Sequence, residues 1–318
     1  MRAIWSVLER MLGLGLLAVA GVASVFVVMH AVPGDPALSA LGDQATPVAV
    51  AAFRQHWHLD DPIMQQFWRW LSGAIRGDFG VSLTIASGTP IRDLLAVRLP
   101  QTAFVGAYAL LIAVFISLVA GTISALQHGR IGDAVTSSLA AIGVSMPDFW
   151  IAYILIYALA LGTGLFPAYG YISPAVSIAG ALHSAFLPAL AIAAPMAAVF
   201  TRILRASLLE NLHKDHVLVA KSLGHPKRFV FVHHVLRNAL IPYITVIGLQ
   251  IRYLLGGTVV IERIFGIPGL GNLTVDAAFG RDFPVVQACT VVFLCCVLLT
   301  NFSVDLVCAA LNPRARRS

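Results

Sequence analysis

Two ionisable residues, Asp148 and Arg252, lie deep inside apolar segments of this 318-residue chain. Asp148 directly follows Pro147. Counted at a helical rise of about 1.5 Å per residue, the two side chains reach a similar depth if both segments cross a membrane in the same direction. Charges at membrane depth are costly and usually face a cavity or one another. We therefore predict that Asp148 and Arg252 either pair or line the route of a solute. The alternative is that the segment ends are shifted and these side chains reach water.

A second set of candidate residues lies in the basic stretch, residues 202–242, which has seven Lys and Arg residues against two acids. Asp215 can accept hydrogen bonds from the free N–H groups at the start of a short helix, and Gly224 can end that helix in a left-handed conformation. Pro226 suits the first turn of a following helix, where its missing N–H costs nothing. The stretch therefore predicts a short helix over Asp215–Leu223, then a turn and a second helix.

The predicted short helix carries an apolar stripe at helical spacing. Its members are His216, Val217, Ala220 and Leu223, with Lys214 and Lys221 beside them. Outside a membrane, an apolar stripe of this kind needs a surface that covers it. That surface belongs either to a partner protein or to the chain's own helix ends.

The sequence has no motif for catalysis or nucleotide binding. It contains no Gly-x-x-x-x-Gly-Lys-Ser/Thr, no His-Glu-x-x-His and no Gly-x-Ser-x-Gly. The four cysteines all lie in one late apolar segment, which excludes a disulfide framework in the polar segments, and zinc-type spacing is absent. We expect no catalytic residue, no bound metal and no cofactor on this chain, so any energy source is a gradient or another subunit.

Composition indicates a multi-pass membrane protein. The chain is 58% hydrophobic and 11% charged, with a mean hydropathy of +0.85, whereas a soluble domain has about 25% charged residues. The net charge of +6 is explained by the enrichment of Lys and Arg in cytoplasmic loops of membrane proteins, so we expect no nucleic-acid partner.

Apolar runs and charge bias predict an all-α fold with six transmembrane helices and both termini in the cytoplasm. The predicted spans are 11–30, 101–126, 134–162, 187–204, 239–260 and 285–311. The predicted division is a cytoplasmic N-terminus with the first helix (1–32), a small external subdomain (33–100), a five-helix core (101–311) and a cytoplasmic tail (312–318). In the external subdomain, Trp68 and Trp70 are either interfacial anchors or core residues.

Short motifs follow one another along nearly the whole chain. They are Val32-Pro-Gly-Asp-Pro36, His58-Leu-Asp-Asp-Pro62, Gly77-Asp-Phe-Gly80, Ser145-Met-Pro with Phe149-Trp150, Glu262-Arg-Ile-Phe-Gly-Ile-Pro-Gly-Leu-Gly271, Arg281-Asp-Phe-Pro-Val-Val-Gln287, and Val304-Asp305 with Pro313-Arg314. Each is weak alone. Together, in this order, they make the chain resemble the membrane permeases of binding-protein-dependent ABC importers, and within them the first permease of the dipeptide/oligopeptide/nickel group.

The resemblance identifies residues 206–238, within the basic stretch, as the coupling loop of such a permease. The matching positions are Arg205, Asp215, Ala220, Gly224 and Arg237-Asn-Ala-Leu-Ile-Pro242. In the family the short helix of this loop docks in a cleft of the ATPase subunit, which favours a partner as the cover of the apolar stripe. The sequence departs from the family at His216, where an aromatic residue is usual, and at Ser222-Leu223, where Ala-Lys is usual.

The resemblance implies a type I importer permease in the bacterial cytoplasmic (inner) membrane. Its expected partners are a second homologous permease, two ATPase subunits docking on residues 213–226, an external substrate-binding protein and membrane lipid. ATP and Mg are expected on the ATPase subunits. The expected cargo is a di- or oligopeptide, with a nickel chelate, glutathione or another small solute as alternatives. A gradient-driven secondary transporter and a non-transporting membrane sensor are the alternatives from other classes.

Overall fold

The computed structural model describes residues 2–31 and 34–311, and these residues are almost entirely helical. The helices are α1 (Arg2–Ala31), α2 (Pro36–Leu41), α3 (Pro47–His56), α4 (Ile63–Ile75), α5 (Ile91–Leu126), α6 (Ile131–Ser145), α7 (Asp148–Leu155), α8 (Ile178–Leu212), α9 (Asp215–Ser222), α10 (Lys227–Val230), α11 (Arg237–Phe265), α12 (Leu270–Phe279) and α13 (Phe283–Leu311). Among these residues the only β pairing outside helices is the isolated bridge between Val81 and Pro90. The all-α class is therefore confirmed.

Four helices within the described residues are long and apolar enough to cross a membrane: Ile91–Leu126, Ile178–Leu212, Lys227–Ile251 and Phe283–Val304. A fifth crossing arises if α6 and the helix that follows it form one span. Gly15–Val28 in α1 is a shorter apolar helix. These segments follow the order of the predicted spans, while the count of six stays a prediction. The predicted tail, 312–318, lies outside the described residues.

Several helices are longer than hydropathy alone predicts. Helix α5 begins at Ile91 instead of residue 101 and runs through Pro100. Helix α8 covers Ile178–Leu212 instead of 187–204, and it contains Pro188 and Pro195. The first turns of α5 are polar, so hydropathy did not include them in the predicted span. Residues 91–100, predicted to belong to the external subdomain, are therefore part of α5.

The third predicted span is broken. Helix α6 ends at Ser145, and the next helical segment, Asp148–Leu161, is bent from it by 110°. Pro147 supplies the break, because its ring fixes φ and disfavours a helical residue before it. The last part of this segment, Ile156–Leu161, is π-helical.

The described chain forms two compact units. One comprises residues up to Thr102 together with Pro268–Leu298, and the other comprises Ala103–Ile267 together with the residues from Leu299 onward. Helices α5 and α13 contribute residues to both. The second unit contains the basic stretch and both of the predicted intramembrane charges.

Helix α8 lies at the centre of the second unit. Of its most apolar stretch, 72% is buried, compared with 22–28% for the other long apolar helices. Many of its buried residues are alanines, which allow neighbouring helix backbones to approach closely. For example, a Cβ added at Gly143 of α6 would lie 3.0 Å from the Ala198 Cβ of α8.

In the first unit, the end of α1 packs on α4. The Phe26 ring lies 5.2 Å from the Phe67 ring and 6.5 Å from the Trp70 ring, measured between centroids. Trp70 is therefore a packing residue, whereas Trp68 is exposed. Only Trp68 keeps the predicted role of an interfacial anchor.

Two carboxylates fix the loops of the first unit. Asp282 is fully buried, and its Oδ2 accepts hydrogen bonds from the Ser82 hydroxyl and from the backbone N–H groups of residues 83–85. Asp35 caps α2 and pairs with Arg54 at 2.6 Å. Burial alone would raise the pKa of the Asp35 carboxyl, but hydrogen bonds from Arg54 and from the α2 backbone hold it below its ordinary value.

Candidate functional site

The short helix of the coupling loop is present where the sequence predicts it. Helix α9 runs from Asp215 to Ser222, and Gly224 has the left-handed φ of +79° that ends it. Asp215 does not cap the helix. It is the first helical residue, follows Lys214 at the N-cap position, and no side chain hydrogen-bonds to the free N–H groups there. As an acid in the first turn it still favours the positive end of the helix dipole. Pro226 stands at the N-cap of α10, one residue before the predicted place.

The structure corrects the predicted composition of the apolar stripe. Val217 is fully buried and Ala220 nearly so, and both belong to the core of the second unit. These two residues are three positions apart, so they share the face of α9 that packs on the chain itself. They are therefore not available to a partner.

A different set of apolar side chains is exposed on α9. Leu218, Val219 and Leu223 are 52%, 58% and 71% exposed. Leu218 and Val219 lie on the side of the helix away from Val217 and Ala220, and Leu223 follows the helix end. Exposed basic residues flank these positions in the sequence, namely Lys214, Lys221, Lys227 and Arg228. We call Leu218, Val219 and Leu223 the outer face.

His216 belongs to a group of rings beside α9. Its Nε2 lies 3.2 Å from the His234 carbonyl oxygen and 3.4 Å from Asn238 Nδ2. The rings of Phe229 and His233 stack with their centroids 4.3 Å apart. His216 thus contacts the chain's own next helical segment. Among the described residues, no group of three or more His, Cys, Asp or Glu side chains is placed to hold a metal ion.

In the same unit, a carboxylate network joins three helices. Arg205 of α8 donates two hydrogen bonds to Asp133 of α6, from Nε to Oδ1 at 2.7 Å and from Nη2 to Oδ2 at 2.8 Å. Ser124 of α5 donates to Asp133 Oδ1 at 2.6 Å. The sequence marked Arg205 through the family resemblance but gave no signal for Asp133, since an acid at the start of a helix is common.

Asp148 is the first residue of α7, at the 110° break. The depth count along one straight helix does not hold here, because the chain changes direction just before Asp148. A Cβ added at Gly257 of α11 would lie 3.1 Å from Asp148 Oδ2 and 3.6 Å from Tyr253 Cε1, so the carboxylate and this ring both lie against that glycine. The Arg252 side chain lies outside the described residues, and its pairing with Asp148 stays a prediction.

A cavity of about 330 Å³ adjoins this break. Its lining comes from α6, α8, α11 and the break itself: Val144, Ser145, Met146, Pro147, Pro195, Met196, Val199, Gln250 and Tyr253. Tyr253 and Pro147 border both the cavity and Asp148. The structure therefore places a carboxylate beside a mostly apolar cavity among the central helices of this unit.

The loop between α7 and α8 closes over the end of α11. The Gly170 N–H donates to the Phe265 carbonyl at 3.0 Å. Gly266 has a φ of +67°, and a Cβ there would lie 2.2 Å from the Tyr169 ring, so only glycine fits. Burial, together with the negative charge of Glu262, raises the pKa of Tyr171 to about 12.

The long apolar helices define a multi-pass membrane protein, and its basic loop has a short helix that exposes apolar side chains. Comparison with family models identifies the family of the chain. Residues 117–317 match the binding-protein-dependent transport system inner membrane component, and residues 4–103 match the N-terminal family of the same membrane components. The chain belongs to this family and is a permease of a binding-protein-dependent ABC importer.

Curated relatives cover nearly the full length. The glutathione transport system permease protein GsiC of Escherichia coli K12 is 36% identical over 310 residues, which is 98% of each chain. The GsiC protein of Shigella flexneri serotype 5b has the same identity and coverage. The resemblance to the peptide importer group is thereby confirmed.

Solved structures support the fold. A chain of the inward-facing MetNI methionine ABC transporter aligns with a TM-score of 0.56 at 17% identity, covering 69% of this chain and 96% of that one. A chain of an amino acid ABC transporter with histidines aligns with a TM-score of 0.52 at 16% identity, covering 70% and 94%. The likeness confirms the type I importer permease fold.

Proposed function

We propose that this chain forms half of the translocation path of an ATP-driven importer for a small peptide-like solute. A second, homologous permease supplies the other half, and two ATPase subunits dock on residues 213–226. An external binding protein delivers the solute, and both chain termini lie in the cytoplasm. The observation that carries the proposal is the outer face of α9, which exposes three apolar side chains in a basic setting.

The outer face suits an ATPase cleft for a physical reason. Three apolar side chains on one short helix gain free energy when a partner removes them from water, roughly 25 cal/mol per Å² of apolar surface. The surrounding cations then favour acidic residues at the rim of the cleft. ATP binding would move the docked helix, and the membrane helices would follow as packed bodies.

For the cargo, the curated relatives named glutathione permeases give the first solute to test. Glutathione is a peptide-like molecule with an ammonium group and carboxylates. We propose a peptide-like solute of this chemical class, with glutathione first and dipeptides next. Asp148, beside the cavity at the α6–α7 break, is the residue that we propose to border the route of this solute.

The proposal is tested by expressing the chain together with the second permease, the ATPase subunits and the binding protein, and by purifying it in mild detergent. An ATPase subunit and a second permease are expected to co-purify, and the complex in liposomes is expected to take up glutathione or a dipeptide only with ATP and the binding protein. Uptake by this chain without any ATPase subunit would instead identify a gradient-driven transporter. Binding of a solute without transport would identify a sensor.

A further inference from the structure

Asp133 is a buried acid with an unusually complete set of partners. Its side chain is 8% exposed. Both oxygens take part in hydrogen bonds, and Arg205 binds across the two of them. The remaining partners are Ser124 Oγ to Oδ1 at 2.6 Å, Ser137 Oγ to Oδ1 at 3.2 Å, the Gly129 N–H to Oδ2 at 3.0 Å and His128 Nδ1 to Oδ2 at 3.0 Å.

The partners come from three helices and the turn between two of them. Ser124 lies near the end of α5, His128 and Gly129 form the turn after it, and Ser137 lies one turn further along α6. Arg205 lies on α8, which ends at Leu212, just before α9 begins at Asp215. One carboxylate thus ties the α5–α6 turn to the part of α8 that leads directly into α9.

The geometry of the Arg205–Asp133 ion pair favours a rigid connection between α8 and α6. A bidentate contact between a guanidinium and a carboxylate fixes orientation as well as distance. Because the pair is largely removed from water, salt and solvent screen it weakly. In addition, Gly121 of α5 packs on Leu204, next to Arg205, with an added Cβ at only 3.1 Å from that side chain. Helices α5, α6 and α8 are therefore held together at this level by both charge and packing.

We propose that Asp133 is the positioning residue through which Arg205 transmits movement of α9 to the α5–α6 pair. This inference rests on the proposed function. When the ATPase displaces α9, the end of α8 moves with it, and the network of Asp133 makes the α5–α6 turn follow. Without the network, α8 moves alone, and ATP is hydrolysed without a full change of the path.

The test uses the complete importer in liposomes, with both permeases, the ATPase subunits and the binding protein. Asp133→Asn keeps the size of the side chain and an acceptor oxygen but removes the charge and the two-oxygen contact. We expect the amount of solute transported per ATP hydrolysed to fall about tenfold, a typical size for a coupling between two sites, while the complex still assembles and hydrolyses ATP. Arg205→Gln is expected to cause a similar fall. The double variant is expected to be no worse than the worse single one, because both changes remove one interaction.

Asp93→Asn is the matched control. Asp93 lies in the first turn of α5 and forms an exposed pair with Arg92 at 3.4 Å, so this variant makes the same change of side chain on one of the three joined helices, outside the coupling loop, and leaves the network of Asp133 intact. Its transport per ATP is expected to equal that of the unmodified importer.

An unchanged transport per ATP in Asp133→Asn overturns the proposal. So do additive effects of the two single changes. Equal losses of assembly, hydrolysis and transport would show a folding role alone, which also overturns it. If the unmodified importer shows no ATP-driven uptake at all, the proposed function fails instead.

Discussion

At the scale of single residues, Asp148 is distinguished by its position at the break between α6 and α7. A proline break turns the chain just before it, and a glycine on α11 leaves room for its carboxylate. A charge in a mostly apolar setting is retained at a cost, and such residues usually mark a route for a polar solute. We propose the neighbouring cavity of about 330 Å³ as the place of such a route.

Removing the Asp148 charge is expected to slow import. In Asp148→Asn, a loss of about 1.4 kcal/mol of favourable interaction with the solute's ammonium group would lower uptake about tenfold. Gly257→Ala is expected to act in the same direction more weakly, because its Cβ would lie 3.1 Å from the carboxylate. The measurement is ATP-dependent uptake into liposomes.

Gly256→Ala is the control for this prediction. A Cβ at Gly256 meets no atom within 4 Å, so uptake is expected to stay unchanged. Unchanged uptake in Asp148→Asn would remove Asp148 from the route. The predicted pair with Arg252 is checked separately: Asp148→Arg combined with Arg252→Asp is expected to restore part of the uptake lost in each single variant.

At the scale of elements, α9 has one buried face and one exposed face. Val217 and Ala220 anchor it to the core, whereas the outer face is exposed to solvent and is the proposed docking surface. We expect this anchor to pass a displacement of α9 to the core of the second unit. A docking helix attached only by its ends would transmit much less.

The two faces are expected to respond differently to the same new charge. Val217→Asp buries an unpaired carboxylate and is expected to lower the free energy of unfolding by roughly 3 kcal/mol or more. Leu218→Asp leaves stability unchanged, because that side chain is 52% exposed, but it is expected to weaken ATPase association at least about tenfold. Thermal unfolding in detergent and ATPase pull-down measure the two effects. Equal loss of stability in both variants would contradict the assignment of faces.

The existence and the ends of α9 were predictable from sequence, but which of its faces packs on the chain was not. Asp215 and Gly224 bracket the helix, and local chemistry sets such ends. Helical spacing grouped His216, Val217, Ala220 and Leu223, but spacing cannot tell which side packs on the chain. Only the tertiary contacts made by Val217 and Ala220 decide that.

Contacts between distant parts of the chain account for the other differences. Asp133 and Arg205 are 72 positions apart, so no local pattern joins them. Pro147 stands beside Asp148 in the sequence, but the 110° angle of the break there depends on packing against α8 and α11. The early start of α5 was missed because its first turns are polar while the backbone is still helical.

At the scale of the whole molecule, the chain contains no nucleotide-binding motif and belongs to a family of importer membrane components. In the proposed function, separate ATPase subunits drive its transport. The outer face of α9, the network of Asp133 and the cavity near Asp148 all lie in the same compact unit. We propose that this unit passes movement from a docked ATPase to the solute path.

A photo-crosslinking map of α9 in the assembled importer tests most directly whether the outer face docks on the ATPase subunit. A benzophenone side chain in place of Leu218 or Val219 is expected to form a covalent adduct with the ATPase subunit in high yield. The same group in place of Val97, an exposed residue of α5 far from the coupling loop in sequence, is expected to form none. An importer that assembles and hydrolyses ATP without an adduct at either α9 position would contradict docking of the outer face on the ATPase subunit.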